Sequence, residues 1–451
     1  MPQPFTIETQ PGGTPLATFD GAGNLNLAGQ LTVGGAALGG QVLPGAAVQG
    51  SPFGNKPLLY APTHLRRWRA ALALADQNVV PLIYCGDSIP WGLGADNTTG
   101  TPNATALAKG ICGRLQSQFG NSFRTFLQNP GEGYVFPNDS RVTVAGAPVQ
   151  NLWAPTPFGQ GYRLVGATQT LTITIPAGVT SITVIQGNMT QVFNAAGSNL
   201  ADVTGQYNIN GGGNTNLTAL TNTNSPISTT IAVVAGNVFQ VIGPAAAQTY
   251  ITGFLLNSAA ANGVQVHRIC LNGAVTGSLL GGQASGILSQ TAASQIIATR
   301  ANYIWNAAPS LIIVEFSVND QQFQNGGGTA SQNGVTIGKY QNWMQQFCDQ
   351  AVADGWCVLL VGGPQDQGYQ PASPTLDQYL AVLKSIALAT DHVAHVNISE
   401  MWGSYVNSQA DGVQLIGSVH PNLAGHGDIA ALLYDTLLGK AQAGITEPVP
   451  G

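Results

Sequence analysis

Four short stretches of this 451-residue chain carry groups that could do nucleophilic chemistry together. The apolar, strand-like run Leu82-Ile83-Tyr84-Cys85 breaks abruptly into Gly86-Asp87-Ser88, with Pro90 and Gly92 soon after. Open α/β sheets place their reactive groups at such carboxyl edges of buried strands. A serine nucleophile needs a base to take its proton and donors to hold the oxyanion that forms. Val419-His420-Pro421-Asn422 offers His420 as the base, since a neutral imidazole accepts protons near pH 7. The donors would be the N–H of Ser88, the N–H of Gly277 in Asn272-Gly273-Ala274-Val275-Thr276-Gly277, and the Asn319 amide in Ser317-Val318-Asn319-Asp320.

These stretches need a sheet to converge on. Val79–Cys85, Val264–Leu271, Leu311–Phe316, Cys357–Val361 and His392–Val396 read as strands, several of them apolar throughout. Helical spacing is expected from about Thr63 (with Thr63 as N-cap), over Ala104–Phe119 (capped by Asn103), Ile287–Ala307, Tyr340–Ala353, Leu376–Ala389 and Leu423–Leu438. This rhythm implies a parallel sheet with helices on both faces.

From about Gly161 to Ala261 the pattern changes to short alternating strands, such as Thr170–Ile175, Ser181–Ile185 and Thr229–Val234. Turn clusters such as Asn210-Gly211-Gly212-Gly213-Asn214 separate them, which predicts an inserted all-β sandwich of jelly-roll type. The organisation read from the sequence is an N-terminal β-rich attachment segment (1–54) and an α/β domain in two parts (55–160 and 264–441). The insert (161–263) separates those parts, and a tail (442–451) follows.

Charged residues are only 8% of the chain, against about 25% in an average protein. Glycine (58 residues) and neutral polar residues take their place, which suits an extracellular or particle-bound protein. A net charge of −6 with few basic residues argues against nucleic acid or an anionic membrane as partner. No run is long enough to span a bilayer, and the N-terminus lacks the basic-then-apolar form of a secretory signal. Cys85, Cys112, Cys270, Cys348 and Cys357 lie singly in apolar segments and read as small buried hydrophobes. The other histidines, His64, His267, His392, His395 and His426, form no metal-ligand pattern, and His426 reads as packing or capping. Asp87 and Asp320 read as turn-builders, Trp91 and Tyr84 as candidate walls of an acyl pocket (Tyr84 equally as core), and Gly362–Gln367 as cleft lining.

Taken in order, Gly86-Asp87-Ser88, Asn272–Gly277, Val318-Asn319-Asp320 and His420-Pro421-Asn422 resemble the four-block signature of the GDSL/SGNH hydrolases. The resemblance covers roughly residues 55–150 and 264–440. It implies a three-layer αβα, flavodoxin-like fold and ester hydrolysis through an acyl-serine, with Ser88, Gly277, Asn319 and His420 as the site and no metal or organic cofactor. Two positions depart from the family pattern: Ser317 stands where glycine is usual, and Gly417 stands where the acid is usual, three residues before the histidine. Asp411, in Ala410-Asp411-Gly412-Val413, is the nearest upstream acid. Either Asp411 folds back onto the His420 ring or a main-chain carbonyl orients it.

Residues 1–54 resemble the amino ends of bacteriophage tail-fibre and tailspike proteins in composition. Together these resemblances imply an esterase that removes O-acetyl groups from a bacterial surface polysaccharide. It would work as a homotrimer on a virion, alongside other tail proteins. Secretion is the alternative location. A secreted lipase or carboxylesterase, and a non-catalytic receptor-binding tail protein, are the alternative functions.

Overall fold

The computed structural model describes residues 58–98, 102, 104–123, 134–135, 141–151, 161–187, 203–219, 227–258, 262–270, 272–277, 309–324, 335–365 and 374–440, with short strands before residue 38. Six strands form the sheet that carries the site: β1 (Leu59–Tyr60), β2 (Val79–Gly86), β3 (Gly263–Cys270), β4 (Leu311–Glu315), β5 (Cys357–Gly362) and β6 (Val393–Asn397). Their order is β3-β2-β4-β5-β6-β1. Neighbours from β3 to β6 are parallel, and β1 closes one edge antiparallel to β6. Strands β3 to β6 are buried along their whole length and β2 along nearly all of it, which is why β2 and β5 read as apolar runs instead of alternations, while β3 buries Gln265, His267 and Arg268 among its apolar residues.

From β2 the chain passes first to β3 on one side and later to β4 on the other. The strand order therefore reverses at β2. Open α/β sheets form their binding crevice at such a switch point, outside the carboxyl ends of the strands.

The helices are α1 (Arg66–Leu72), α2 (Ser88–Trp91), α3 (Ala104–Lys109), α4 (Ile111–Phe123), α5 (Val318–Gln324), α6 (Ile337–Ala353), α7 (Leu376–Ala389), α8 (Ile398–Trp402), α9 (Tyr405–Ala410) and α10 (Leu423–Leu437). Tyr340, Met344 and Phe347 of α6 and Tyr379, Leu383 and Ile386 of α7 share one core with Ile312, Val314, Val358 and Leu360 of the sheet. Helices α1, α4 and α10 pack together through edge-on ring contacts, Trp68 to Phe119 and Phe119 to Tyr434. The Trp68 indole N–H also donates to the Leu437 carbonyl at 3.1 Å.

Two helices differ from the sequence reading. Ala61 adopts a left-handed φ of 51° and Pro62 opens a 3-10 turn, Pro62–Leu65, so α1 starts at Arg66 and Thr63 is not its cap. The helix expected over 104–119 breaks at Gly110, where a Cβ would lie 3.1 Å from the Ala106 carbonyl oxygen and 3.3 Å from Gly92 Cα. The loop following α2 thus abuts the α3–α4 junction. The helix expected over 287–307 and the Asn103 cap lie outside the described residues.

Two antiparallel sheets lie between the halves of the α/β sequence. One orders strands 149–151, 161–165, 248–258, 179–187 and 227–232, with 134–135 on 248–258. The other orders 215–216, 206–209, 238–242, 170–174 and 142–145, so this β-rich region draws on residues well before 161. Leu164, Ile182, Val184 and Phe254 of the first share one core with Leu171, Ile173, Phe239 and Val241 of the second. Ile185 and Leu255, on these β-strands, belong instead to the α/β core beside Ala274 and Val275. Residues 1–55 fall in a separate unit, with Thr6–Glu8, Pro15–Phe19 and Leu25–Leu27 as an antiparallel sheet and Thr32–Val33 paired with Ala36–Ala37.

Candidate active site

The turn after β2 is built around the absence of a side chain at Gly86. A Cβ there would lie 2.3 Å from Pro90 Cγ and 3.0 Å from the Glu315 carbonyl oxygen. Asp87 then caps α2, its Oδ1 accepting the Ile89 N–H at 2.9 Å, and Gly92 ends the helix with φ 108°. Ser88 sits in the first turn of α2, only 4% exposed. Gly86→Ala should cost about 1–3 kcal/mol by overpacking, read as a lowered urea midpoint at unchanged m-value.

The C-terminal loop brings the base to this turn. Leu415 N–H donates to the His420 carbonyl and Asn422 N–H to the Val413 carbonyl, both at 3.0 Å, so 413–415 pairs antiparallel with 420–422. Two glycines let the loop seat closely: a Cβ on Gly94 would meet the Pro421 carbonyl oxygen at 2.1 Å, and one on Gly425 the Val413 carbonyl oxygen at 2.0 Å. Within that frame His420 Nε2 lies 2.8 Å from Ser88 Oγ. Burial pushes the His420 imidazole down to about 4, so it is neutral, and able to accept a proton, through the physiological range.

The other face of the ring corrects the sequence reading. His420 Nδ1 is 2.9 Å from Ser418 Oγ, and the His420 main-chain N–H donates to the same oxygen at 3.2 Å. Asp411 is not in this network. It is exposed at the C-cap of α9, where its N–H donates to the Asn407 carbonyl at 2.8 Å. The pairing of 413–415 with 420–422 turns the chain at 416–419, so the residues folded back onto the ring are those next to His420, and Asp411 is left beyond the paired segment.

Asn319, in the first turn of α5, ties two turns together. Its Nδ2 donates to the Ala274 carbonyl at 3.0 Å and to Asp87 Oδ2 at 3.3 Å. Asp320 accepts the Thr276 N–H at 3.0 and 3.2 Å, fixing the turn that leads to the buried Gly277. Ser317 Oγ accepts the Gly363 N–H at 3.3 Å and joins the ends of β4 and β5. Three carboxyl groups at these turns and strand ends are buried, Asp87, Glu315 and Asp320. Burial raises Asp87 to about 7 against the pull of the Ile89 N–H, and Asp320 to about 7 against that of Thr276. Burial, then the neighbouring Asp87, pushes Glu315 well above the carboxylate range, and the Tyr84 hydroxyl donates to it at 2.5 Å. Tyr84 is thus a core residue and not a pocket wall.

His426 is buried with Nε2 2.8 Å from the Leu93 carbonyl oxygen, a packing contact that holds α10 to the loop after α2. Trp91 is partly exposed in the last turn of α2. All five cysteines are buried and none is in a disulfide. Among the described residues no group of three or more His, Cys, Asp or Glu converges as metal ligands, and no helix is long and apolar enough to cross a membrane.

Sequence reasoning missed Ser418 and Gln414. Gln414 is buried, and its Nε2 lies 3.0 to 3.3 Å from the carbonyls of Gln365, Ser418 and Val419, while its Oε1 accepts from Ser408 Oγ. Their only sequence signal is nearness to His420.

No protein-family model and no curated protein matches the sequence. A solved peptidoglycan O-acetylesterase superposes over 86% of this chain and 100% of its own, with a TM-score of 0.56 and 13% identity. The two chains share a fold. A lipase/acylhydrolase from Enterococcus faecalis matches over 40% of this chain and 78% of its own (13% identity, TM-score 0.29). A family two carbohydrate esterase from Clostridium thermocellum matches over 67% and 99% (12% identity, TM-score 0.27).

Proposed function

We propose that this chain is a serine esterase of SGNH type that removes O-acetyl groups from a bacterial surface polysaccharide. The observation that carries this reading is the 2.8 Å contact between His420 Nε2 and Ser88 Oγ at the switch point of a parallel sheet. Ser88 Oγ attacks the acyl carbon as its proton passes to His420 Nε2. The N–H groups of Ser88 and Gly277 and the Asn319 amide hold the oxyanion. Collapse breaks the ester C–O bond, and His420 returns its proton to the leaving sugar oxygen. Water, deprotonated by the same nitrogen, then releases acetate from the acyl-serine.

The choice of an acetylated glycan is supported by the fold shared with an O-acetylesterase of peptidoglycan. The neutral polar face of the inserted sheets supports it too: Asn208, Gln240 and Thr172 are linked side chain to side chain across three strands. We read that insert as a jelly-roll-type sandwich that positions substrate or contacts other subunits. We read the segment before residue 38, short strands separated by glycine-rich stretches of sequence, as attachment to a phage tail as a homotrimer, with the enzyme acting outside the cell.

Acetate release from capsule or O-antigen preparations, compared between the native chain and Ser88→Ala, tests this. Native protein should release acetate and the variant should not. Glycan binding without acetate release by the native chain would replace the esterase by a receptor-binding protein.

A further inference from the structure

We propose that Ser418 is the positioning residue of the base, its hydroxyl oxygen accepting the Nδ1–H of His420 so that Nε2 faces Ser88 with a free lone pair. The proposal rests on the reading of His420 as the base of an esterase and says how that base is held without a carboxylate.

Two nitrogens of one residue converge on one oxygen. The His420 main-chain N–H can only donate, and it points at Ser418 Oγ from 3.2 Å. The ring Nδ1 reaches the same oxygen at 2.9 Å. A hydroxyl oxygen has two lone pairs, enough for both N–H groups. That pairing selects the Nδ1–H tautomer, the one in which Nε2 can accept the Ser88 proton 2.8 Å away. When Ser88 gives up its proton, Nε2 gains it and Nδ1 keeps its own. Nothing passes to Ser418.

Ser418 is itself held on both sides. Gln414 Nε2 approaches the carbonyls of Ser418 (3.3 Å) and Val419 (3.0 Å), and Gly417 N–H donates to the Tyr405 hydroxyl at 2.7 Å. Gln365 and Ser408 fix Gln414 in turn. The hydroxyl is therefore presented at a set angle by a buried, uncharged clamp.

The groups around His420 leave this role to Ser418. His426 of α10 is engaged with the Leu93 carbonyl, and Tyr405 of α9 with Gly417. Asp87, beside Ser88, has its two oxygens on Ile89 and Asn319. Asp411 is exposed beyond the paired loop. Among the described residues no carboxylate bonds the ring, which burial holds at about 4. The consequence is a base that keeps its accepting form in mild acid, where a carboxylate-paired histidine would already be protonated.

The test labels Ser88 with a fluorophosphonate across pH 4 to 9 and records the ring ¹⁵N shifts of His420. The variants are Ser418→Ala, Ser418→Thr and Ser418→Asp. Native protein should show the Nδ1–H tautomer and an acid midpoint of labelling well below 6.5. Ser418→Ala should label about 10- to 100-fold more slowly, the worth of a hydrogen bond to a group that becomes charged, and lose the tautomer preference. Ser418→Thr should restore both, and Ser418→Asp should move the midpoint up by about one to three units. A merely structural serine would leave that midpoint in place. Native rates and an unmoved midpoint in Ser418→Ala, or a native Nε2–H tautomer, would overturn the proposal. Labelling that depends on Ser418 without acetate release from any glycan would instead reject the substrate reading and leave the positioning role of Ser418 standing. If the native chain takes no label, the ¹⁵N tautomer and its loss in Ser418→Ala decide alone.

Discussion

Ser88→Ala, His420→Ala and the double variant should each lower kcat on an aryl acetate by about the same factor, on the order of 10⁴ to 10⁶. The reason is geometric. The two side chains meet at 2.8 Å, with Ser88 only 4% exposed and His420 held by its loop, so neither can act without the other. A serine without its base leaves a hydroxyl that is un-ionised at neutral pH and a weak nucleophile, and a base without its serine has only water to activate. Groups that act as a unit are non-additive, so the second substitution should remove almost nothing more. The Ser88→Ala variant loses one hydroxyl and no packing, so its thermal midpoint should stay within about 1–2 °C of native, a shift of a few tenths of a kcal/mol. Independent, multiplying losses in the double variant would show that the contact is not the catalytic one.

Asn319→Ala should lower kcat by about 10²- to 10³-fold, the loss expected for one oxyanion donor, with a smaller change in KM. Here the donor has a second duty. Both hydrogens of the Nδ2 that would face the oxyanion are engaged, one on the Ala274 carbonyl at 3.0 Å and one on Asp87 Oδ2 at 3.3 Å, so the amide fixes the two turns that present Gly277 and Ser88 and gives up the longer bond, to Asp87, when it donates to the oxyanion. The loss should therefore reach the upper end of that range. Asn319→Asp should be no better, because it brings a carboxylate against Asp87, a group burial already holds near 7. Steady-state kinetics on both variants, with unfolding as the control, measure this.

What could be read from the sequence was whatever is local. β5 declared itself as an unbroken apolar run, and β4 as one as far as Glu315, because both faces of the sheet are covered, and α7 has the expected bounds because Thr375 and Gln378 cap it reciprocally. Gly86-Asp87-Ser88 was legible since a strand that ends in a residue with no room for Cβ has few alternatives. The partner of His420 was not. A search for an acid by residue type leads to Asp411, whereas the ring is met by a neutral hydroxyl two residues away. Only the pairing of Val413 with Asn422 and Leu415 with His420 decides which residues turn back, and that pairing leaves no pattern in composition. The split of the helix at Gly110 was hidden for the same reason, since it answers to Gly92, eighteen or so positions away in the chain and in contact only after folding.

The insert has a consequence for the order in which the chain can fold. Strands β2 and β3 lie side by side, yet the Cys270 thiol meets the Tyr84 carbonyl from 186 residues away. During synthesis at about 5–20 residues per second, β2 must wait on the order of ten seconds or more for its neighbour to exist. It waits as a fully apolar strand with bare edges. The insert then shortens the remaining search. Residues 134–135, where the chain enters it, pair with Leu255 and Phe254, close to where the chain leaves it. Once those sheets have formed, their two ends are already together, and the entropy of closing β3 onto β2 falls toward that of a short connection. The strand that ends at Ser88 thus depends for its assembly on a region inserted between it and its neighbour in the sheet, and a nascent chain stalled inside that region would expose the same apolar residues that later seat Ser88.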